Sequence, residues 1–85
     1  MLSIISVYQE WGAIMNSYYI KIIRDLREDH DKTQAEIAEI LGTSQTMYAR
    51  YERGANELPI HHLIKLCELY KVSADYILGI EDNKK

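Results

Sequence analysis

The sequence predicts an all-α fold, and three observations carry that expectation. Apolar residues recur at helical spacing along most of the chain, and no period-2 alternation of useful length appears. Gly42, Gly54, Pro59 and Gly79 fall where those periodic runs stop or start, so punctuation and periodicity agree. The 85 residues suffice for one domain, and 47% apolar with 27% charged residues is the balance of a globular chain rather than a disordered one.

Five helices follow in order. The first is expected from about Asn16 or Ser17, either of which can N-cap, to about Asp29, with Tyr19, Ile23 and Leu26 as its apolar stripe. It breaks in the polar run Glu28-Asp29-His30-Asp31-Lys32. The second opens with Thr33-Gln34-Ala35-Glu36, a capping box in which the Thr33 hydroxyl takes one free N–H and Glu36 reaches back to another. Ile37, Ala38, Ile40 and Leu41 follow, and Gly42 ends this helix in a positive-φ conformation. The third starts after a very short turn, with Ser44 or Thr43 as N-cap, and runs to about Arg53 with Met47, Tyr48 and Tyr51 as its apolar side.

Gly54 stops the third helix, and Pro59 suits the first turn of a fourth, whose packing residues are Leu63, Ile64, Leu66, Cys67 and Tyr70. Ser73 caps a short fifth helix with Asp75 in its first turn, and Tyr76, Ile77 and Leu78 close the core before Gly79. The expected organisation is a domain over residues 16–80, an N-terminal extension over 1–15 and a charged tail over 81–85. In the extension, Ile4, Val7, Trp11 and Ile14 repeat in step with Tyr18 as an amphipathic helical seam, interrupted by Gly12. Such a seam is a liability when exposed, so it is expected to pack on the core or form a dimer contact. The alternative is that the natural start is Met15, since Trp11-Gly12-Ala13 can be encoded by a purine-rich stretch resembling a ribosome-binding site.

Charge and cysteine usage narrow the function classes. Ten Lys and Arg against thirteen Asp and Glu give a formal net charge of −3, which argues against a protein that binds nucleic acid by bulk positive charge. It leaves room for a reader that keeps a few cations on one face. Cys67 is the sole cysteine, so neither a disulfide framework nor a four-cysteine zinc site can form. No apolar run approaches the roughly 18 to 20 residues of a membrane span, and Gln9 and Glu10 break the apolar start of the chain. A cytoplasmic location, with no membrane and no signal peptide, is expected.

The two short helices joined across Gly42 carry the functional content. Ala38, four residues before that glycine, lets the pair approach closely, and glycine lets the chain reverse without a Cβ penalty. Ile37, Tyr48 and Tyr51 then fall on the inner sides, leaving Gln34, Ser44, Gln45, Thr46, Ala49 and Arg50 facing out. Amide, hydroxyl and guanidinium groups at a helix N-terminus suit the major groove of double-stranded DNA, where Gln pairs with adenine edges and Arg with guanine edges.

With these residues in view, the chain resembles the Cro/phage-repressor (Cro/C1-type) helix-turn-helix proteins, often called the XRE family. The resemblance runs from about Tyr18 to Ile80. It rests on Leu26-Arg27, on Thr33 to Ala38, on Leu41 to Gln45 and on Tyr51-Glu52-Arg53-Gly54. It continues through Leu63-Ile64-Lys65-Leu66 to Val72 through Gly79. Each segment alone is weak; all of them in order, at the family's spacings, make a strong signal.

The resemblance implies a lambda-repressor-like five-helix domain with helices 2 and 3 as the helix-turn-helix. It implies that Gln34 clamps a phosphate with help from the free N–H groups of its helix end. It places Ser44, Gln45, Thr46 and Arg50 towards base edges, and Arg53 and Asn56 in a loop that meets backbone phosphates. Arg27 and Glu52 match a structural Arg–Glu pair that ties the first helix to the end of the recognition helix. Four positions depart from the family pattern. Asp31 stands where glycine is common, Lys32 replaces a residue that is usually apolar, and the loop after Gly54 carries Ala55 and Glu57 where it is often basic.

Tyr48 and Tyr51 are core residues by spacing rather than stacking platforms for bases. His61 and His62 are adjacent, point to different helix faces and lack further ligands, so no metal site and no cofactor are expected. Cys67 reads as a small core residue. The run around Glu28, Asp29 and Asp31 is a solvated turn rather than a catalytic carboxylate pair, so an enzyme is not expected. The reading is a sequence-specific regulator of transcription, a repressor binding an inverted-repeat operator as a homodimer. The alternative is a module of the same fold that binds a protein partner, antitoxin-like or anti-repressor.

Residues 15–79 hold eight Lys and Arg against ten Asp and Glu, so even the reader domain is acidic. From Thr43 to Gly54, however, Arg50 and Arg53 face Glu52 alone. That predicts a reader with weak nonspecific affinity that depends on a few placed contacts and on dimerisation.

Overall fold

A computed structural model describes residues 18–80 as an all-helical domain. We number its helices α1 (residues 18–29), α2 (Gln34–Leu41), α3 (Gln45–Arg53), α4 (Ile60–Tyr70) and α5 (Ala74–Leu78). The expected N-cap of α1, the apolar seam upstream of Tyr18 and the charged tail lie outside the described residues.

Local chemistry sets the helix starts. Thr33 Oγ1 accepts the Glu36 N–H at 3.1 Å, and Glu36 Oε1 accepts the Thr33 N–H at 2.8 Å, a complete capping box. Ser44 caps α3 through the Met47 N–H at 3.0 Å, and Ser73 caps α5 through the Tyr76 N–H at 3.0 Å. Pro59 sits one position earlier than its expected place in the first turn of α4. With φ −64° and ψ 151° it is the N-cap itself, and its carbonyl accepts the Leu63 N–H at 3.0 Å.

All five helices end on a left-handed residue whose successor bonds back into the last turn. After α2, Gly42 takes φ 77° and the Thr43 N–H reaches the Ala38 carbonyl at 2.9 Å. A Cβ on Gly42 would meet nothing within 4 Å, so glycine is favoured there by its dihedral angle and not by space. After α1 the same closure is made by Asp31 at φ 56°, the departure from glycine noted in the sequence, with the Lys32 N–H 3.0 Å from the Arg27 carbonyl. After α4 it is made by Lys71 at φ 60°, which the sequence did not signal, with the Val72 N–H 3.1 Å from the Cys67 carbonyl.

One core unites the helices. Ile23, Ile37, Tyr48, Leu66 and Ile77, one from each helix, are fully buried at its centre. Tyr19, Ile22 and Leu26 from α1, Ala38 and Leu41 from α2, Tyr51 from α3 and Tyr70 from α4 surround them. Leu58, which precedes α4, is fixed from afar by its N–H bonding the Tyr19 hydroxyl at 3.2 Å.

Two expected core positions point outward. Ile64 is 53% exposed, because the inner stripe of α4 runs through His62, Leu66 and Tyr70 and leaves Ile64 about 200° from His62 around the helix. Tyr76 is 42% exposed, since the five residues of α5 turn only Ile77 fully inward. No helix among the described residues is long and apolar enough to cross a membrane.

Candidate nucleic-acid interface

The α2–α3 pair is anchored from within. Ile37, Ala38, Tyr48 and Tyr51 are buried, and Tyr51 packs edge-on against both Tyr48 and the ring of His62, with centroids 6.3 and 5.8 Å apart. Burying those residues turns the other faces outward: Ser44, Gln45, Thr46 and Arg53 are exposed, and Ala49, Arg50 and Asn56 are partly exposed. Of the exposed set, the Ser44 hydroxyl is already engaged as the α3 cap.

Behind this surface lies a polar network. Arg27 grips Glu52 with two parallel bonds from one edge of its guanidinium, Nε to Oε2 at 2.7 Å and Nη2 to Oε1 at 3.0 Å. Its remaining arm, Nη1, donates to the Lys32 carbonyl at 3.0 Å, so one arginine ties the α1–α2 turn to the end of α3. Gln34 joins the same carboxylate, Nε2 to Glu52 Oε1 at 3.0 Å. Glu52 is 4% exposed, and an ionised carboxylate at that depth needs such partners. Burial pushes its carboxyl up, but the hydrogen bonds from Arg27 and Gln34, with the nearby Tyr48 hydroxyl, more than offset this and hold it below the usual range. The buried Tyr48 hydroxyl makes no hydrogen bond of good geometry, and burial together with the adjacent Glu52 charge pushes its pKa well up.

Gln34 therefore has a structural bond that the sequence did not reveal. The α2 cap uses the N–H groups of Thr33 and Glu36, which leaves those of Gln34 and Ala35 free of the cap at the helix end. A second unforeseen bond joins two expected contact residues to each other: Arg50 Nε donates to Asn56 Oδ1. Arg53 stays exposed. Across α3 as a whole, Arg50 and Arg53 remain outward, while the one acidic side chain of the helix is turned in and neutralised by Arg27.

Elsewhere, the adjacent histidines are not as separate as their positions suggest. His61 is exposed and His62 buried, yet their rings lie 4.2 Å apart. Burial, then the neighbouring His61 and Lys65, pushes the His62 pKa down. Cys67 is half-buried, and burial pushes its thiol up. Among the described residues, no three His, Cys, Asp or Glu side chains converge as metal ligands would.

Residues 23–77 match a family model described as helix-turn-helix. The chain is 38% identical over 65 residues to the uncharacterized HTH-type transcriptional regulator YobD of Bacillus subtilis, covering 76% of this chain and 58% of that protein. It is 37% identical over 59 residues to the antitoxin PezA of Streptococcus pneumoniae, covering 69% of this chain and 37% of the relative. It is 34% identical over 53 residues to the cryptic phage CTXphi transcriptional repressor RstR of Vibrio cholerae, covering 62% and 47%. The chain thus spans between 37% and 58% of the length of these relatives. No solved structure matches it. The matched span takes in α2, α3 and the Arg27–Glu52 pair that joins them to α1, and with it the chain belongs to the helix-turn-helix family of Cro/phage-repressor type.

Proposed function

We propose that this protein is a non-enzymatic regulator that binds double-stranded DNA sequence-specifically through α3 and represses transcription in the cytoplasm by occluding a promoter. The observation that carries the reading is the outward face of α3: Gln45, Thr46 and Arg50 project from a helix whose opposite side is locked by Tyr48, Tyr51 and Glu52. A rigid helix presenting amide, hydroxyl and guanidinium groups matches the donor and acceptor pattern of major-groove base edges. Arg50 would read guanine, Gln45 adenine, and Ser44 and Thr46 either edge. The backbone N–H groups of Gln34 and Ala35, with the outer N–H of the Gln34 amide, would hold a phosphate, and Arg53 would meet the backbone after the recognition helix.

The homodimer belongs to the same proposal. Ile60, Ile64 and Ile80 are 73, 53 and 52% exposed, an excess of apolar surface that a second copy would cover. Two copies related by a twofold axis would place their α3 helices in half-sites about 34–36 Å apart on an inverted repeat. The likeness to RstR, a phage repressor by name, supports repression.

Replacing Arg50 with alanine tests the assignment. Arg50→Ala should cost about 1–3 kcal/mol of binding free energy and relax preference at one base pair per half-site. Gln34→Ala should weaken all sites equally. Unchanged affinity and base preference in Arg50→Ala means that α3 does not read DNA. The second reading, a module that binds a protein partner, draws support from the likeness to PezA, an antitoxin by name, and from the acidic net charge of −3. Copurification of a stoichiometric second protein, with no DNA sequence preferred, is the result that favours it.

A further inference from the structure

We infer that Asn56 is a positioning residue that presets Arg50 to read guanine end-on; this rests on the proposal that α3 reads base edges. Asn56 lies six residues after Arg50 and beyond the left-handed Gly54, which lets the chain turn back over the end of α3. The turn is fixed by the backbone. Both following N–H groups point at the Arg50 carbonyl, Ala55 at 2.9 Å and Asn56 at 3.4 Å. Within it, the Asn56 amide oxygen accepts from Arg50 Nε, so backbone and side chain of Asn56 both address the same arginine.

The consequence follows from guanidinium geometry. An arginine can present two parallel donor pairs to a planar acceptor, a side-on pair that includes Nε and an end-on pair made of Nη1 and Nη2. Arg27 spends its side-on pair on Glu52. On Arg50 that edge is closed by Asn56, and the end-on pair is left for a partner. Guanine offers O6 and N7, two acceptors side by side, whereas adenine sets an N6 donor beside N7 and thymine offers O4 alone. A guanidinium held in plane with only its end-on pair available favours guanine over both. No carboxylate competes from the same helix, because Glu52 is already bound by Arg27 and Gln34.

The sequence assigned Asn56 to a backbone phosphate, and the two roles separate in one experiment on the full chain. The base pair read by Arg50 is located first, by comparing the sites selected from random duplexes by the unmodified protein and by Arg50→Ala. Affinities are then measured on duplexes carrying each of the four bases there, across a salt series. Asn56→Ala should lower the preference for guanine about tenfold and leave affinity for the other three bases and the salt dependence unchanged. Asn56→Asp, which keeps an acceptor for Nε, should retain the guanine preference while weakening all four duplexes alike. Asn56→Ser is too short to reach Nε and gives the same readout as alanine should Asn56→Ala unfold. Uniform weakening of all four duplexes by Asn56→Ala, with the guanine preference intact, makes Asn56 a phosphate contact and overturns the inference; since an amide carries no charge, the salt slope stays unchanged in that case too. Loss of base preference with Arg50→Ala but not with Asn56→Ala overturns the positioning role alone. No loss with Arg50→Ala removes the reading of α3 on which it rests.

Discussion

Around α2 and α3 the buried charge is paired, while around α4 and α5 apolar side chains are left in solvent. On the first side, Glu52 is satisfied by Arg27 and Gln34, and the exposed residues of α3 include Gln45, Thr46 and Arg53. On the second, Ile60, Ile64, Tyr76 and Ile80 are exposed, and a groove of about 390 Å³ is lined by Tyr19, Leu58, Ile60, Leu63, Leu78 and Ile80, with Glu57 as its one charged residue. The difference separates two physical tasks. A surface that reads a pattern of hydrogen bonds must be held still, and a bidentate buried ion pair does that at a desolvation cost. A surface that only needs covering can stay apolar and unspecific.

The paired side should be the fragile one. Arg27→Ala leaves the Glu52 carboxylate buried with Gln34 as its remaining hydrogen-bond donor, and should cost about 3 kcal/mol in urea unfolding. A loss below about 0.5 kcal/mol, the range of ordinary surface changes, would mean that the network contributes little to the fold. The same carboxylate sets the acid response. Because its folded pKa lies below the unfolded value, it favours the folded state fully above the ordinary glutamate pKa of about 4.3. That contribution is lost as pH falls through the lowered folded value. Thermal melts between pH 7 and 3 should show a steeper acid decline for the unmodified chain than for Glu52→Gln.

The apolar side should behave in the opposite way. Ile60→Glu and Ile64→Glu, at 73 and 53% exposure, should change the stability of the isolated chain by no more than about 0.5 kcal/mol. They should nevertheless weaken self-association at least tenfold in sedimentation, an effect of about 1.4 kcal/mol. Equal association with and without the substitutions means that this face is not the contact between copies. The smallest expected change is a gain. Lys71 holds φ 60° at the end of α4, where Gly42 and Gly54 do the same job after α2 and α3, so Lys71→Gly should raise stability by up to about 1 kcal/mol. A loss would show that the lysine side chain contributes more than its backbone strain costs.

Which parts of this were legible in sequence follows from how far each interaction reaches. The caps Thr33, Ser44 and Ser73 act within three residues, so the local pattern identifies them. Tyr48, Tyr51 and Ile77 follow from helical spacing alone. The inner face of α4 did not, because Ile60, Leu63, Ile64 and Leu66 are spread around the helix and tertiary packing decides which of them turn in. His62 took a buried place against Tyr51, and Ile64 was left out. Arg27 and Glu52, 25 residues apart, were legible only through the family resemblance, and nothing local announces that Gln34, 18 residues from Glu52, joins them. The Arg50–Asn56 bond spans only six residues, but Gly54 lies between them and helical periodicity stops there. The hint was an amide side chain just past a left-handed glycine, where the loop doubles back on the helix.

The most direct test of the central claim is selection of random duplex DNA by the full chain at low salt. The account predicts an enriched inverted repeat with a guanine in each half-site that disappears when Arg50 is replaced by alanine. Enrichment of no motif, under conditions where the chain is folded, would contradict it.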